Sequence, residues 1–327
     1  MRSLFISPRP KGDGGPSLAV RRLLPLLSEL GYCATDQFWS NWDLGLINVG
    51  GGRYGPAGLL CRRPLVYRSA GYYVRDIFNK TGRPWNWRYE SSNLLTGLYL
   101  RLASCVIFQS TYARDILIDK FGQPKNYVIA HNAVDLRQYH HLERKENSTP
   151  VIASVGKMRH ERIHDLIRVS QAINSAHQLL IVGSLDENGR KSLFEYGNRR
   201  GIAVTVSGFI PSQKLIEFYR RIDVLLHLAA ADICPNVVVE AVACGVPVVC
   251  HAYGGTKEIV GDGGIAVSGE PYLNEDAFIF AVAESTQKVL TDLPAFRKRA
   301  VKQAAAQLDI RKTAEIYLEA FQIACNV

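Results

Sequence analysis

Five short runs in the second half of the chain, VIASVG (151–156), QLLIVG (178–183), AVTVSG (203–208), DVLLHL (223–228) and VPVVC (246–250), are largely apolar along their whole length and rich in β-branched residues. A strand with one wet face alternates apolar and polar positions; these do not, so both of their faces need cover. Between them lie segments with helical spacing, among them KLIEFYRRI (214–222) and VVVEAVACG (237–245). Continuous apolar strands alternating with helices specify a parallel sheet with helices on both faces. The first half opens the same way, with the strand RSLFIS (2–7), the loop KGDGG (11–15) and the helix PSLAVRRLLPLLSELG (16–31). Pro16 near its start and Gly31 just past its end match the preferences of helix termini.

The 327 residues exceed one ordinary core and suit two domains of roughly 150 residues each. The polar, charged stretch HHLERKENSTP (140–150) reads as the connection between them. The expected domains are therefore 1–145 and 146–309. A hydrophobic share of 47% with 21% charged residues excludes a disordered or fibrous chain. The opening MRSLFISPRPKGDGG has too short an apolar run for a secretory signal, and no stretch nears the roughly 20 apolar residues that span a bilayer. A cytoplasmic protein is expected. The seven cysteines show no CxxC pair and no zinc-ligand spacing, so they read as reduced thiols, mostly core filler.

Charge is unevenly placed. Of the formal +9, the first 150 residues hold 20 Lys+Arg against 11 Asp+Glu, and the remainder is balanced at 19 against 19. The basic half is expected to meet an anionic partner.

In a doubly wound sheet, ligands bind beyond the carboxyl ends of the strands, so the loops after VIASVG, AVTVSG and DVLLHL should share one crevice. After the first comes GKMRHER (156–162), whose Lys157 and Arg162 suit a diphosphate because they neutralise charge on a leaving group. Taken alone they would read as two solvated surface cations. After DVLLHL comes DICPNVVVE (232–240). Pro235 and Asn236 should begin a helix, leaving the N–H groups of Asn236, Val237 and Val238 aimed at an anion. Asp232 precedes that helix and Glu240 lies about one turn inside it; carboxylates accept hydrogen bonds only, which suits sugar hydroxyls.

Together these segments resemble family 4 glycosyltransferases of the GT-B fold, in which an acidic residue, seven intervening positions and Glu lead into E-A-x-A-C-G-x-P-V-V. Here Asp232 and seven residues lead into EAVACGVPVV (240–249). The likeness runs along nearly the whole chain: GDGGPSLAVRRLLPLLSELG (12–31), VIAHNAVD (128–135), SVGKMRHERIHDLI (154–167), GFIPSQKLIEFYRRIDVLL (208–226) and YGGTKEIVGDGG (253–264) each look like a family segment in its expected order. The resemblance implies two Rossmann-like doubly wound domains facing across a cleft, with a C-terminal helix, RKTAEIYLEAFQIA within about 310–327, crossing back onto the first. It also implies transfer of a hexose-type sugar, with retention, from a nucleotide diphosphate sugar to an acceptor hydroxyl, in cell-surface polysaccharide or glycolipid assembly. A UDP-sugar leads the donor expectations, and no metal is required.

Carried to matched positions, the resemblance gives Lys157 and Arg162 to the diphosphate, Glu240 to the ribose and Asp232 to the donor sugar. Gly14 and Gly15 match the loop through which backbone approaches the diphosphate from the first domain. Gly156, Gly208, Phe209, Ile210, Pro235, Asn236 and Val237 complete the donor-binding set. The family often carries a His in the first domain; here RPLVYRSAGYYVRD (63–76) has none, and Ser69, Tyr72, Arg75 and Asp76 become the acceptor-side candidates. Lys157 replaces the usual Arg and loses its planar fork.

The first half holds two further clusters. GGGRYGPAG (50–58) lacks the Lys-Ser/Thr of a P-loop and reads as an acceptor-side loop. GRPWNWRYE (82–90) interleaves Trp85, Trp87 and Tyr89 with Arg83 and Arg88, which suits a sugar-stacking platform, a membrane-interface anchor or ordinary packing around a helix start. A saccharide or lipid-linked saccharide acceptor and an anionic membrane surface are the candidate partners, with the protein peripheral at the inner membrane face; nucleic acid is not expected. Alternatives are an epimerase or phosphorylase of the same fold, or a non-catalytic nucleotide-sugar-binding subunit.

Overall fold

The structure, a computed structural model, describes residues 1–11, 15–49, 55–61, 63–80, 84–141, 147–156, 160–271 and 275–326. The chain divides into two compact units, Met1–Ala133 with Asp309–Val327, and Val134–Leu308.

The first unit runs β1 (Arg2–Ser7), α1 (Gly15–Glu29), β2 (Tyr32–Thr35), β3 (Leu44–Asn48), α2 (Gly55–Gly58), β4 (Leu65–Arg68), α3 (Arg75–Lys80), α4 (Trp87–Leu102), β5 (Cys105–Phe108), α5 (Thr111–Phe121) and β6 (Tyr127–Ile129). The second runs β7 (Val151–Val155), α6 (His160–Ala172), β8 (Gln178–Val182), α7 (Glu187–Arg200), β9 (Val204–Val206), α8 (Ser212–Tyr219), β10 (Val224–His227), α9 (Asn236–Ala243), β11 (Val248–His251), α10 (Thr256–Val260), β12 (Gly264–Val267), α11 (Asp276–Thr291) and α12 (Leu293–Gln307). A last helix, α13 (Ile310–Cys325), belongs to the first unit.

Each unit has one six-stranded sheet, ordered β2-β1-β3-β4-β5-β6 and β12-β11-β10-β7-β8-β9, and every described pairing is parallel. From its β9 edge, the second sheet has the 3-2-1-4-5-6 order of dinucleotide-binding folds, whose direction reverses between β7 and β10.

Side-chain alternation splits each sheet between two cores. In the first unit Leu4, Ile6, Leu46 and Val66 pack with α1 and with Ala314, Tyr317 and Phe321 of α13, while Phe5, Ile47, Tyr67 and Val106 pack with Tyr99 and Leu100 of α4. In the second, Ala153, Val155 and Leu225 face α8, α9 and α12, and Ile152, Ile181 and Leu226 face α6, α7 and α11. The strands read as continuous apolar runs because both sides are covered. The helix expected at 16–31 is α1, and Gly31, at φ +91°, turns the chain into β2.

The division between units falls at Ala133/Val134, ahead of the 145/146 boundary read from composition. Val134 and Tyr139 are buried in the second unit's core, and Asn147 donates to Asp223 at 2.6 Å. The described parts of the polar stretch, 140–141 and 147–150, are assigned to the second unit; residues 142–146 lie outside the described residues.

Asp223, at the foot of β10, ties this unit together. Its carboxylate accepts from Asn147, from the Val151 N–H that begins β7 at 2.8 Å, and from Arg297 of α12 at 2.5 Å. Its side chain is 2% exposed and that of Arg297 10%. Removing one partner of such a pair strands a buried charge, so Arg297→Met is expected to lower unfolding free energy by about 3–5 kcal/mol, read from the urea midpoint at unchanged slope.

Candidate functional site

The reversal between β7 and β10 brings two loops side by side at the carboxyl edge of the second sheet. β7 leads to Gly156, at φ +127°, whose N–H donates to Val182 O at 2.8 Å. A Cβ on Gly183 would sit 1.7 Å from Gly156 O, so the two backbones approach as only glycines allow. Arg162, in the first turn of α6, comes back over this loop, its Nη1 3.9 Å from where a Gly156 Cβ would stand. Lys157 lies outside the described residues.

β10 ends at His227, and the chain then passes through Ala231, a non-glycine at φ 59°, to Asp232. Neighbouring backbone holds this turn: Ala231 N–H donates to Tyr253 O at 2.7 Å and Gly255 N–H to Asp232 O at 2.8 Å. Gly254, at φ +137°, lies so near that a Cβ there would be 2.8 Å from Asp232 O. The Gly254-Gly255 pair therefore clasps the Asp232 loop.

The Asp232 side chain is 42% exposed, and its Oδ2 accepts from His227 Nε2 at 2.8 Å, with His227 only 6% exposed. Burial by itself raises the carboxyl pKa, but the His227 hydrogen bond, the His227 charge and the Arg162 charge outweigh it and hold Asp232 below its usual value. Asp232 is thus a carboxylate at neutral pH, near enough to Arg162 to feel its charge.

α9 begins directly afterward, with Pro235 as N-cap and no side-chain cap. Its start carries the partial positive charge of a helix terminus. Of the three N–H groups expected there to face an anion, that of Val238 instead donates to Pro235 O at 3.1 Å, because the first turn tightens. Glu240, one turn in, is 1% exposed and accepts from Tyr219 Oη of α8 at 2.8 Å. Burial, then the Glu240 charge, push the Tyr219 hydroxyl well above its usual pKa and keep it a donor.

Gly156, Arg162, Asp232, Pro235, Asn236 and Val237 thus share the β7/β10 edge. Gly208 (φ +64°), Phe209 (70% exposed) and Ile210 follow β9, two strands from β7, with Ile210 against the core. In the first unit Gly15 opens α1, and Gly14 lies outside the described residues. Ser69 is fully buried, its hydroxyl donating to Ile107 O at 3.4 Å and its carbonyl accepting from Gln109. Tyr72 packs edge-on against Phe121, and Arg75 and Asp76 are exposed on α3. Trp85 joins a ring cluster with Phe78 and Tyr89, whereas Trp87 is 73% exposed.

Sequence reasoning passed over His227, Tyr219 and Arg68. His227 is an ionisable residue ending an apolar strand, as Arg68 and His251 are, which was a usable signal. Arg68, one position before Ser69, is 1% exposed and donates to Asn48 at 2.9 Å, Gln109 at 2.9 Å and Asn132 at 2.6 Å. Among the described residues no group of three His, Cys, Asp or Glu side chains is placed to hold a metal ion. Cys105, Cys234, Cys244 and Cys250 are buried, and burial pushes the Cys244 and Cys250 thiols up to about 12.

The two parallel six-stranded sheets, each covered by helices on both faces, define a two-domain Rossmann-like α/β protein of GT-B type. Residues 137–307 match the family described as "Glycosyl transferases group 1", and the chain belongs to that family. A curated relative, the D-inositol 3-phosphate glycosyltransferase of Mycolicibacterium smegmatis, is 30% identical over 182 residues, 54% of this chain and 41% of the relative. The Mycobacterium marinum enzyme of the same name is 25% identical over 226 residues, 64% of this chain and 48% of its own length, so the chain matches less than half of each. Among solved structures, sucrose-phosphate synthase from Thermosynechococcus elongatus aligns at TM-score 0.77 and 16% identity, covering 98% of both chains. Anabaena HepE in complex with UDP-glucose aligns at 0.72 and 18%, covering 98% of this chain and 99% of that one.

The Tyr219 hydroxyl is a buried partner of a buried carboxylate. Tyr219→Phe is expected to destabilise the protein by about 1.5–3 kcal/mol, the scale of a hydrogen bond to a charged group, measured by chemical denaturation.

Proposed function

We propose that the protein transfers a hexose-type sugar, with retention of anomeric configuration, from a UDP-sugar to an acceptor hydroxyl in cell-surface polysaccharide or glycolipid assembly, without need of a metal. One observation carries the reading: an ionised Asp232 stands at the β7/β10 edge, within reach of the Arg162 charge and just ahead of a helix start that has no side-chain cap. A diphosphate leaving group needs cations and N–H dipoles already in place, which Arg162, Lys157 and the start of α9 supply in this scheme. Asp232 accepts from the donor sugar, Glu240 from the ribose, and Gly14 and Gly15 let backbone approach the diphosphate. The basic first unit receives the acceptor, with Tyr72, Arg75 and Asp76 as its contacts. Ser69 is the weakest of that set, since its hydroxyl is turned onto the Ile107 carbonyl. An anionic acceptor fits the charge, and the curated relatives' names specify an inositol phosphate.

Titration of UDP and UDP-glucose against two variants tests the scheme. Glu240→Gln is expected to weaken both ligands by about 1.5–3 kcal/mol, while Asp232→Asn spares UDP and weakens UDP-glucose. Equal losses for Asp232→Asn with the two ligands overturn the sugar assignment. Product analysis separates the other enzymes of this fold: an epimerase acts on donor alone, a phosphorylase needs phosphate, and a binding subunit gives no product.

A peripheral membrane position is a second reading, favoured by α4. Trp87, Leu94, Leu98 and Leu102 are 73%, 65%, 38% and 60% exposed. At 3.6 residues per turn they fall within about 80° of arc, an apolar stripe on the outside of the helix. Arg88 lies 5.9 Å over the Trp87 ring and Arg101 is exposed near the far end. No described helix is long and apolar enough to cross a membrane. Flotation with vesicles rich in anionic lipid is expected to recover the protein at low salt and to lose it toward roughly 0.5 M, where screening shortens to about 4 Å. Leu94→Glu should abolish that recovery; a variant that floats like the parent refutes the α4 assignment.

A further inference from the structure

We infer that His227 is a positioning residue for donor-sugar recognition: it holds the Asp232 carboxylate by one oxygen and so presents the other to the sugar. The inference rests on the proposed meeting of Asp232 with the donor sugar. Asp232 stands on a turn, not on a regular element, and its side chain is 42% exposed. A carboxylate so placed, with no fixed partner, samples several rotamers, and each must be given up when a ligand binds.

His227 removes that freedom from a rigid base. It is the last residue of β10, which pairs with β7 on one side and β11 on the other, and its own register partner is Cys250. The ring is 6% exposed, so packing fixes its orientation. The 2.8 Å contact joins Nε2 to Oδ2. Because an ionised carboxylate only accepts, Nε2 carries the proton and donates it, in the neutral ring and in the imidazolium alike. Oδ2 is thereby engaged and Oδ1 keeps its acceptor capacity. The backbone is held separately, by Gly255 N–H on Asp232 O and by the close approach of Gly254. Loss of His227 therefore frees the side chain and leaves the turn in place, which distinguishes positioning from a merely structural role.

The same N–H can be offered by another side chain. A glutamine at 227 carries its amide nitrogen at a reach comparable to imidazole Nε2, whereas alanine offers nothing. The experiment titrates wild type, His227→Ala, His227→Gln, Asp232→Asn and the His227→Ala/Asp232→Asn double variant with UDP and with UDP-glucose. Thermal melts accompany the titrations to establish folding. His227→Ala is expected to lose roughly tenfold or more in UDP-glucose affinity, the scale of a charge-assisted hydrogen bond, with UDP affinity unchanged. His227→Gln should recover most of the loss, and the double variant should bind UDP-glucose no worse than Asp232→Asn, because the two residues act through one contact. Equal loss for both ligands, no loss, a glutamine variant as weak as alanine, or additive losses in the double variant each overturn the inference. If His227→Ala does not fold, the glutamine variant and Asp232→Asn still decide: a folded His227→Gln that binds UDP-glucose as poorly as Asp232→Asn overturns it. Should Asp232→Asn fail to separate UDP from UDP-glucose, the sugar assignment itself falls, an outcome distinct from a silent His227.

Discussion

Parallel pairing is the constraint on which the rest depends. Every described strand pairing in both sheets is parallel, so each connection must cross back over a face of the sheet, and all strands of a sheet end on one edge. That single fact gathers residues as far apart in sequence as Gly156 and Asp232 into one crevice. It also explains why the crevice can be polar: the sheets bury their apolar surface on both faces, and the chemistry is left to the loops at the edge.

Within the second unit, the Asp223 carboxylate acts at the opposite end of the same strands. By accepting from the first N–H of β7 and from α12, it sets where β7 and β10 begin relative to one another. Their carboxyl ends, four to five residues on, inherit that alignment, and from them lead the loops to Arg162 and Asp232. Stability at one edge and the layout of the candidate site at the other are two consequences of one register.

Much of this was legible in the residues. The unbroken apolar runs gave five strands of the second sheet and the first strand of the other, and Asp232-x7-Glu240 with its Gly-Pro sequel pointed to a GT-B glycosyltransferase, in agreement with the glycosyl transferase family that residues 137–307 match. What escaped was cooperative in three dimensions. Glu240 reads as a ligand contact in a linear motif, but only packing shows it meeting Tyr219 from the preceding helix. Ser69 lies in the stretch where the resemblance leads one to expect a histidine, yet its hydroxyl is turned onto a backbone carbonyl while Arg68 beside it gathers three amide oxygens. The unit boundary moved for the same reason: polarity marks where a chain meets water, not which core Val134 and Tyr139 join.

The return of α13 has a consequence for how the chain is made. Ile310, Ala314, Tyr317 and Phe321 complete the core in which Leu4, Val20 and Leu44 are buried, although the second unit stands between them in the sequence. During synthesis at about 5–20 residues per second, Val134–Leu308 can emerge and fold while the part of the first sheet's face that α1 leaves open waits for a helix not yet translated. The amino-terminal half is thus the last to finish, and for those seconds part of its apolar core stays exposed.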